Sequence, residues 1–132
     1  MILVDSNVIF DVIDKDPHWK PWSTGQLRRC SILDTLAINA IVYAEISPRY
    51  ISAKNVDELL DTLGLSVLQI PRAAAFLAGR AFLQYRRLGG TKSNVLPDFF
   101  IGAHATVLGC PILTRDTRRY AAYFPSVPLI AP

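Results

Sequence analysis

The chain has 132 residues, 51% of them apolar, enough to bury the core of one domain over residues 1–132 without disulfide staples. Its two cysteines, Cys30 and Cys110, are too few for a disulfide framework, and no stretch approaches the roughly 18 uninterrupted apolar residues of a membrane helix. The net charge of +3 is unevenly spread: residues 1–61 hold nine acids against six Lys or Arg, whereas residues 62–132 hold two acids, Asp98 and Asp116, against eight. A half so basic suits a polyanionic partner, although a solvated basic face reads as well from charge alone. Met1 leads straight into Ile2-Leu3-Val4 without a basic or long apolar leader, so a cytoplasmic protein with reduced, buried thiols is expected.

Ile2-Leu3-Val4 reads as a buried strand running into the turn Asp5-Ser6-Asn7, with a first helix over Val8 to Ile13. Asp16-Pro17 and Lys20-Pro21 mark a loop, and Ser23 is placed to cap a helix through Leu27, Cys30, Ile32 and Leu33. Leu36 to Ile38 is a second short strand. Ile41 to Ile46 suggests one or two helical turns stopped by Pro48. Asn55 is read as the cap of a helix from about Val56 to Leu63, closed by Gly64. Ser66 to Ile70 is a third strand.

Pro71 opens the longest helix, about Arg72 to Leu88, with apolar residues near helical spacing and Gly89-Gly90 at its end. Thr91 to Leu96 is a polar loop. Pro97 suits a first helical position, and Asp98 to Leu108 follows as a nearly all-apolar helix ended by Gly109. Pro111 to Thr114 is a fourth strand leading to Asp116, and Val127 to Ile130 an edge strand flanked by Pro125 and Pro128. Short apolar strands alternating with helices give an α/β fold: a short central parallel sheet flanked by helices in three α/β/α layers.

In such sheets, sites form at the carboxyl ends of strands. Asp5 and Asp116 both follow strands, so both emerge on that edge. Asp98 opens a helix, where backbone N–H groups and the helix dipole favour an anion. Glu45 sits in the apolar run Ile41 to Ile46, a poor place for an unpartnered charge. Each acid also has an ordinary explanation: a cap for Asp5, Asp98 or Asp116, an arginine partner for Glu45. Four together are harder to explain that way, because like charges held close call for a cation. Oxygen-only ligands suit Mg²⁺ or Mn²⁺. Zinc is disfavoured, since Cys30, Cys110, His18 and His104 show no ligand spacing. Such an ion, held by carboxylates, can orient a phosphodiester and activate water.

The motifs Val4-Asp5-Ser6-Asn7-Val8, Asn39 to Ile46, Leu96-Pro97-Asp98-Phe99-Phe100-Ile101-Gly102-Ala103-His104-Ala105 and Leu113-Thr114-Arg115-Asp116 occur in order along the whole chain. Together they resemble PIN-domain ribonucleases, and more narrowly the VapC toxins of bacterial type II toxin–antitoxin pairs. The resemblance implies a metal-dependent endoribonuclease with Asp5, Glu45, Asp98 and Asp116 as its acidic set, the metal being held by Asp5, Asp98 and Asp116. It also implies a homodimer and inhibition by a small antitoxin encoded beside it. Some PIN enzymes carry a further acid just after the fourth; here Thr117, Arg118 and Arg119 follow, which puts a second metal in doubt.

Around the acids, Ser6 or Asn7 can hold a metal-bound water or orient Asp5, and Thr114 can support Asp116; turn chemistry and an ordinary strand threonine are the competing readings. Arg115, Arg118, Arg119 and Lys92 are candidate RNA phosphate contacts, and solvated helix ends are the alternative. Trp19, Trp22, Tyr120, Tyr123 and Phe124 read as core packing. His104 lies six residues after Asp98, about 600° round the helix, and reads as a core or interface histidine. Two rival functions remain: an aspartyl-nucleophile phosphatase, disfavoured because Asn7 stands where its second acid belongs, and a non-catalytic RNA- or protein-binding domain.

Overall fold

β1 (Ile2–Val4), β2 (Leu36–Asn39), β3 (Leu65–Leu68), β4 (Ile112–Leu113) and β5 (Leu129–Ile130) form one sheet in the order β3-β2-β1-β4-β5. The structure, a computed structural model, describes residues 1–132. Every neighbouring pair is parallel, from Leu3 opposite Ala37 on one side of β1 to Leu3 opposite Ile112 on the other. Each parallel pair needs a crossover, and seven helices supply the crossovers and cover the sheet. The fold is therefore the α/β architecture expected, a parallel sheet flanked by helices. β1, β2 and β4 are buried throughout, which explains why they read as uninterrupted apolar runs.

This strand order has one reversal. The chain steps outward from β1 to β2 to β3, then crosses back to β4 beside β1. The crevice at the carboxyl ends of β1 and β4 is the place where a doubly wound sheet opens for a ligand. The Asp5 N–H donates to the carbonyl of Leu113 at 2.9 Å, so the exits of the two strands are tied together.

The helices are α1 (Ser6–Ile13), α2 (Lys20–Leu33), α3 (Ala40–Ile46), α4 (Ala53–Leu63), α5 (Arg72–Arg87), α6 (Leu96–Leu108) and α7 (Arg118–Tyr123). Several begin earlier than local signals suggest. α1 starts directly after Asp5, which occupies its N-cap position without capping it through its side chain. Lys20-Pro21 is the first turn of α2 rather than loop, because a proline there forgoes only an N–H that has no helical partner. Ser23 is consequently inside α2 and fully buried, with its hydroxyl donated to Asp11. Ser52, not Asn55, caps α4, accepting from the Asn55 N–H at 3.3 Å. β3 ends at Leu68 rather than Ile70. The β4–β5 connection contains the short helix α7.

Two local features hold the site's scaffold. Asn39, 1% exposed at the end of β2, caps α3 by accepting from the N–H groups of Ile41 and Val42, both at 3.1 Å. Since its oxygen is thus committed, its Nδ2 is the donor facing His104 Nδ1 at 3.3 Å. His104 is buried in α6, and burial holds its pKa below the ordinary value, so the neutral ring accepts. This pair locks α3 to α6. Gly102 of α6 packs against the Phe124 ring so closely that a Cβ would overlap it.

Asn39→Ala removes both the cap and the buried link, and a loss of about 2 kcal/mol is expected in urea unfolding. Ser52→Ala, an exposed cap with no such link, should lose only about 1 kcal/mol. Equal losses would show that the link to His104 adds nothing.

Candidate active site

Asp5 leaves β1 at the crevice and is only 4% exposed. Its Oδ2 accepts three hydrogen bonds: from Thr114 Oγ1 at 2.8 Å, from the Tyr120 hydroxyl at 2.9 Å and from Asn7 Nδ2 at 3.2 Å. The side-chain donors all meet one oxygen, so the carboxylate has a fixed orientation with Oδ1 on the other side. Burial pushes its pKa up to about 6, aided by the charge of Asp98 and opposed by the donors from Thr114 and Tyr120.

Glu45 is carried by α3. Its Oε1 is buried and has no hydrogen-bond partner. Burial, then the negative charges of Asp5 and Asp98, push its carboxyl up to about 7, while Ser6 pulls it back. Asp98, in the first turn of α6, has its pKa raised by burial; Arg119 opposes this shift, with Nη1 donating to Asp98 Oδ2 at 3.2 Å. Asp116 follows β4 and also raises Asp98. Its own pKa is lowered by Arg118, whose N–H reaches Oδ1 at 3.2 Å. The fold thus brings together four acids from four separate segments, each within electrostatic reach of another.

The polar neighbours fall on the same spot. Ser6 is buried at the start of α1. Asn7 bridges Asp5 to Thr114 with its Nδ2 and accepts the Arg115 N–H on its Oδ1 at 3.1 Å. Thr114, fully buried, also accepts the Asp116 N–H at 3.1 Å. Arg118, Arg119 and Lys92 line a cavity of about 240 Å³ with Tyr85 and Tyr123, and its two arginines also reach acids, Arg119 at Asp98 and Arg118 at Asp116. Arg115 points elsewhere. Its Nε donates to the buried Asp11 at 2.8 Å and its guanidinium lies 5.1 Å over the Trp19 ring. Of the four basic residues expected to meet phosphate, Arg115 is the one outside this cavity, and its charge is taken up by a buried carboxylate.

As they stand, the carboxylates do not close into a three-ligand cage; Arg118 and Arg119 supply part of the countercharge instead. The chemistry of the donor set nevertheless fits a hard divalent cation. It is all oxygen, three of its four members are held above their ordinary pKa by burial and each other, and one buried oxygen lacks any donor. Asp5, Asp98 and Asp116 are the residues that would hold the ion.

Three functional neighbours escaped the sequence reading. Tyr120 passed as core cover, yet its buried hydroxyl needs a partner and finds Asp5. Asp11 lies in the apolar segment Val8 to Ile13, the same signal that singled out Glu45. Ser23 passed as a cap and instead serves Asp11.

A family model described as the PIN domain matches residues 2–125. The chain belongs to the PIN domain family. This is a family of nucleases, and the crevice acids described above lie within the matched span. Among solved structures, this PIN domain is similar to VapBC2 from Rickettsia felis bound to a promoter DNA fragment, with a TM-score of 0.75 and 20% identity over 100% of this chain and 99% of that one. It is similar to DNA-bound VapBC from Salmonella typhimurium, with a TM-score of 0.68 and 20% identity over 98% and 96% of the two chains. It also resembles FitAcB from Neisseria gonorrhoeae, with a TM-score of 0.69 and 22% identity over 98% and 96%. At these identities the likeness is one of fold. No curated protein sequence matches the chain.

The raised carboxyls predict a stability signature of the metal-free protein. Glu45 has a folded pKa of about 7 against an ordinary 4.5. Its penalty is therefore absent below about pH 4.5, grows as the pH rises towards 7, and is constant above. Glu45→Gln should stabilise the metal-free fold by about 1–2 kcal/mol at pH 8, after discounting for partial exposure, and leave it unchanged at pH 4. Thermal melts at the two pH values measure this; a stabilisation independent of pH would refute the charge explanation.

Proposed function

We propose that this chain, acting over residues 1–132 as one nuclease domain, is a Mg²⁺- or Mn²⁺-dependent endoribonuclease. Asp5, Asp98 and Asp116 hold the metal, and Glu45 completes the catalytic set. The observation that carries the reading is Glu45 Oε1. It is buried in the acid crevice, has no donor and belongs to a carboxyl pushed up to about 7. An oxygen left in that state suits a proton acceptor for an attacking water. Ser6 and Asn7, at the start of α1, and Thr114, at the exit of β4, orient Asp5 and the backbone around Asp116. A bound divalent cation would neutralise the scissile phosphate and lower the pKa of a coordinated water.

The basic rim supports a polyanionic substrate. Arg118 is almost fully exposed, Lys92 is exposed, and both line the cavity that also holds Arg119, the partner of Asp98. We assign them, with Arg119, to RNA phosphates on either side of the cut. We assign the chain the role of toxin in a type II pair, working as a cytoplasmic homodimer and silenced by a small cognate antitoxin; the fold shared with VapBC2, VapBC and FitAcB supports the toxin role.

Asp5→Asn and Asp98→Asn should each lower Mg²⁺-dependent RNA cleavage by on the order of a hundredfold, since each removes a charged ligand worth several kcal/mol to the transition state. Both variants should stay folded by circular dichroism. Expression of the wild type should arrest growth and produce defined RNA ends, and neither effect should survive Asp5→Asn. Undiminished cleavage by either variant would strike that residue from the site.

A further inference from the structure

We propose that the Asp11–Arg115 ion pair is a positioning device for the acid crevice. It fixes the Thr114–Asp116 segment so that Asp116 faces the other carboxylates, and Arg115 does not grip RNA. This inference rests on the nuclease reading and adds Asp11 and Arg115 to it as positioning residues.

The argument starts from Asp11, which is 2% exposed on α1. Its Oδ2 takes the Ser23 hydroxyl from α2 and Arg115 Nε from the segment after β4. A carboxylate so buried demands a cation, and removing that cation would strand the charge. Arg115 is held on a second side by the Trp19 ring. Its side chain is 29% exposed, against 90% for Arg118. Swinging Arg115 out to a phosphate would strand a carboxylate that is 2% exposed, whereas Arg118 and Arg119 would leave Asp116 and Asp98 open to water, at 49% and 35% exposure.

The backbone around Arg115 is pinned as well. Its N–H is held by Asn7 Oδ1, and the next N–H, that of Asp116, by Thr114 Oγ1. Asp116 itself is half exposed and its carboxylate is met only by Arg118, at 3.2–3.5 Å. The Arg118 backbone N–H on Oδ1 sets the Asp116 rotamer relative to its own loop, but it does not set where that loop stands against the other acids. The loop is placed by the residue before Asp116, through Arg115 to Asp11 on α1 and, through Asp11, to Ser23 on α2. Asp5 also belongs to this frame, because Asn7 and Thr114 touch it directly. A carboxylate misplaced by about 1 Å can lose as much as a hundredfold in rate, so the strap has a measurable consequence.

The test uses the full chain with Asp11→Asn, Arg115→Ala, the double variant and Arg118→Ala. The readouts are kcat and KM on RNA and Mn²⁺ affinity by calorimetry. Asp11→Asn and Arg115→Ala should each lower kcat by roughly tenfold with KM little changed, and each should weaken Mn²⁺ binding. The double variant should lose no more than the worse single one, as expected for one interaction. Arg118→Ala should raise KM instead. A raised KM at unchanged kcat for Arg115→Ala, beside wild-type behaviour of Asp11→Asn, would overturn the proposal and make Arg115 a phosphate contact. If Arg115→Ala fails to fold with Asp11 stranded, the double variant, which buries no charge there, carries the comparison; wild-type kcat in it would also overturn the proposal. If the wild type cleaves no RNA, the nuclease reading falls on its own, and unchanged Mn²⁺ affinity in Asp11→Asn then decides against the strap.

Discussion

A carboxylate buried at the end of a central strand constrains much of this molecule. Asp5 is 4% exposed, and a charge in that position is tolerated only if its lone pairs are met. The three donors on its Oδ2 come from three places: Asn7 on α1, Thr114 at the exit of β4 and Tyr120 on α7. The strand, the first helix and the last helix must therefore dock together before this one side chain is stable. Because all three donors reach the same oxygen, the docking also orients the carboxylate.

The remaining acids extend this charge across the crevice, and the uneven charge of the sequence acquires a spatial meaning. Asp5 and Glu45 come from the acidic half, Asp98 and Asp116 from the basic half, and the sheet's reversal between β1 and β4 brings them face to face. The basic half then supplies its own partial remedy, with Arg119 on Asp98 and Arg118 on Asp116. The same halves are joined a second time by Arg115 and Asp11. Asp5 and Glu45 have no cationic partner; neutral donors meet Asp5 and Ser6 meets Glu45, whose Oε1 alone stays buried without a hydrogen bond.

The scaffold beneath the acids is correspondingly stiff. α3 and α6, which carry Glu45 and Asp98, are bound through Asn39 and a neutral His104. Gly102 lets Phe124 press against α6, and the aromatic cluster of Phe82, Tyr85, Phe99 and Tyr123 joins α5 and α7 to the same helix. Tyr85 in turn carries the guanidinium of Arg119 at 5.7 Å. Core packing and the electrostatics of the crevice are thus continuous.

By itself, the sequence determined the alternation of strands and helices, since fully buried parallel strands must be apolar throughout and helix ends need glycine, proline or a polar cap. It also singled out the four acids, because a charge following a strand or set in an apolar run needs a reason. Helix starts were less legible: Pro21 and Ser23 give the local signals of a loop and a cap, but an exposed proline is tolerated in a first helical turn and Ser23 is drawn into the interior by Asp11. The strand order, with its reversal between β1 and β4, came only from the folded chain, as did the partners of the polar groups. Arg115 and Arg118 look alike in sequence, three residues apart. One is drawn inward by a buried Asp11 contributed from 104 positions away, and the other stays in solvent. Tyr120 reads as packing until Asp5 is seen beneath its hydroxyl. Such pairings depend on which distant element docks at a given point, and local pattern carries no record of that.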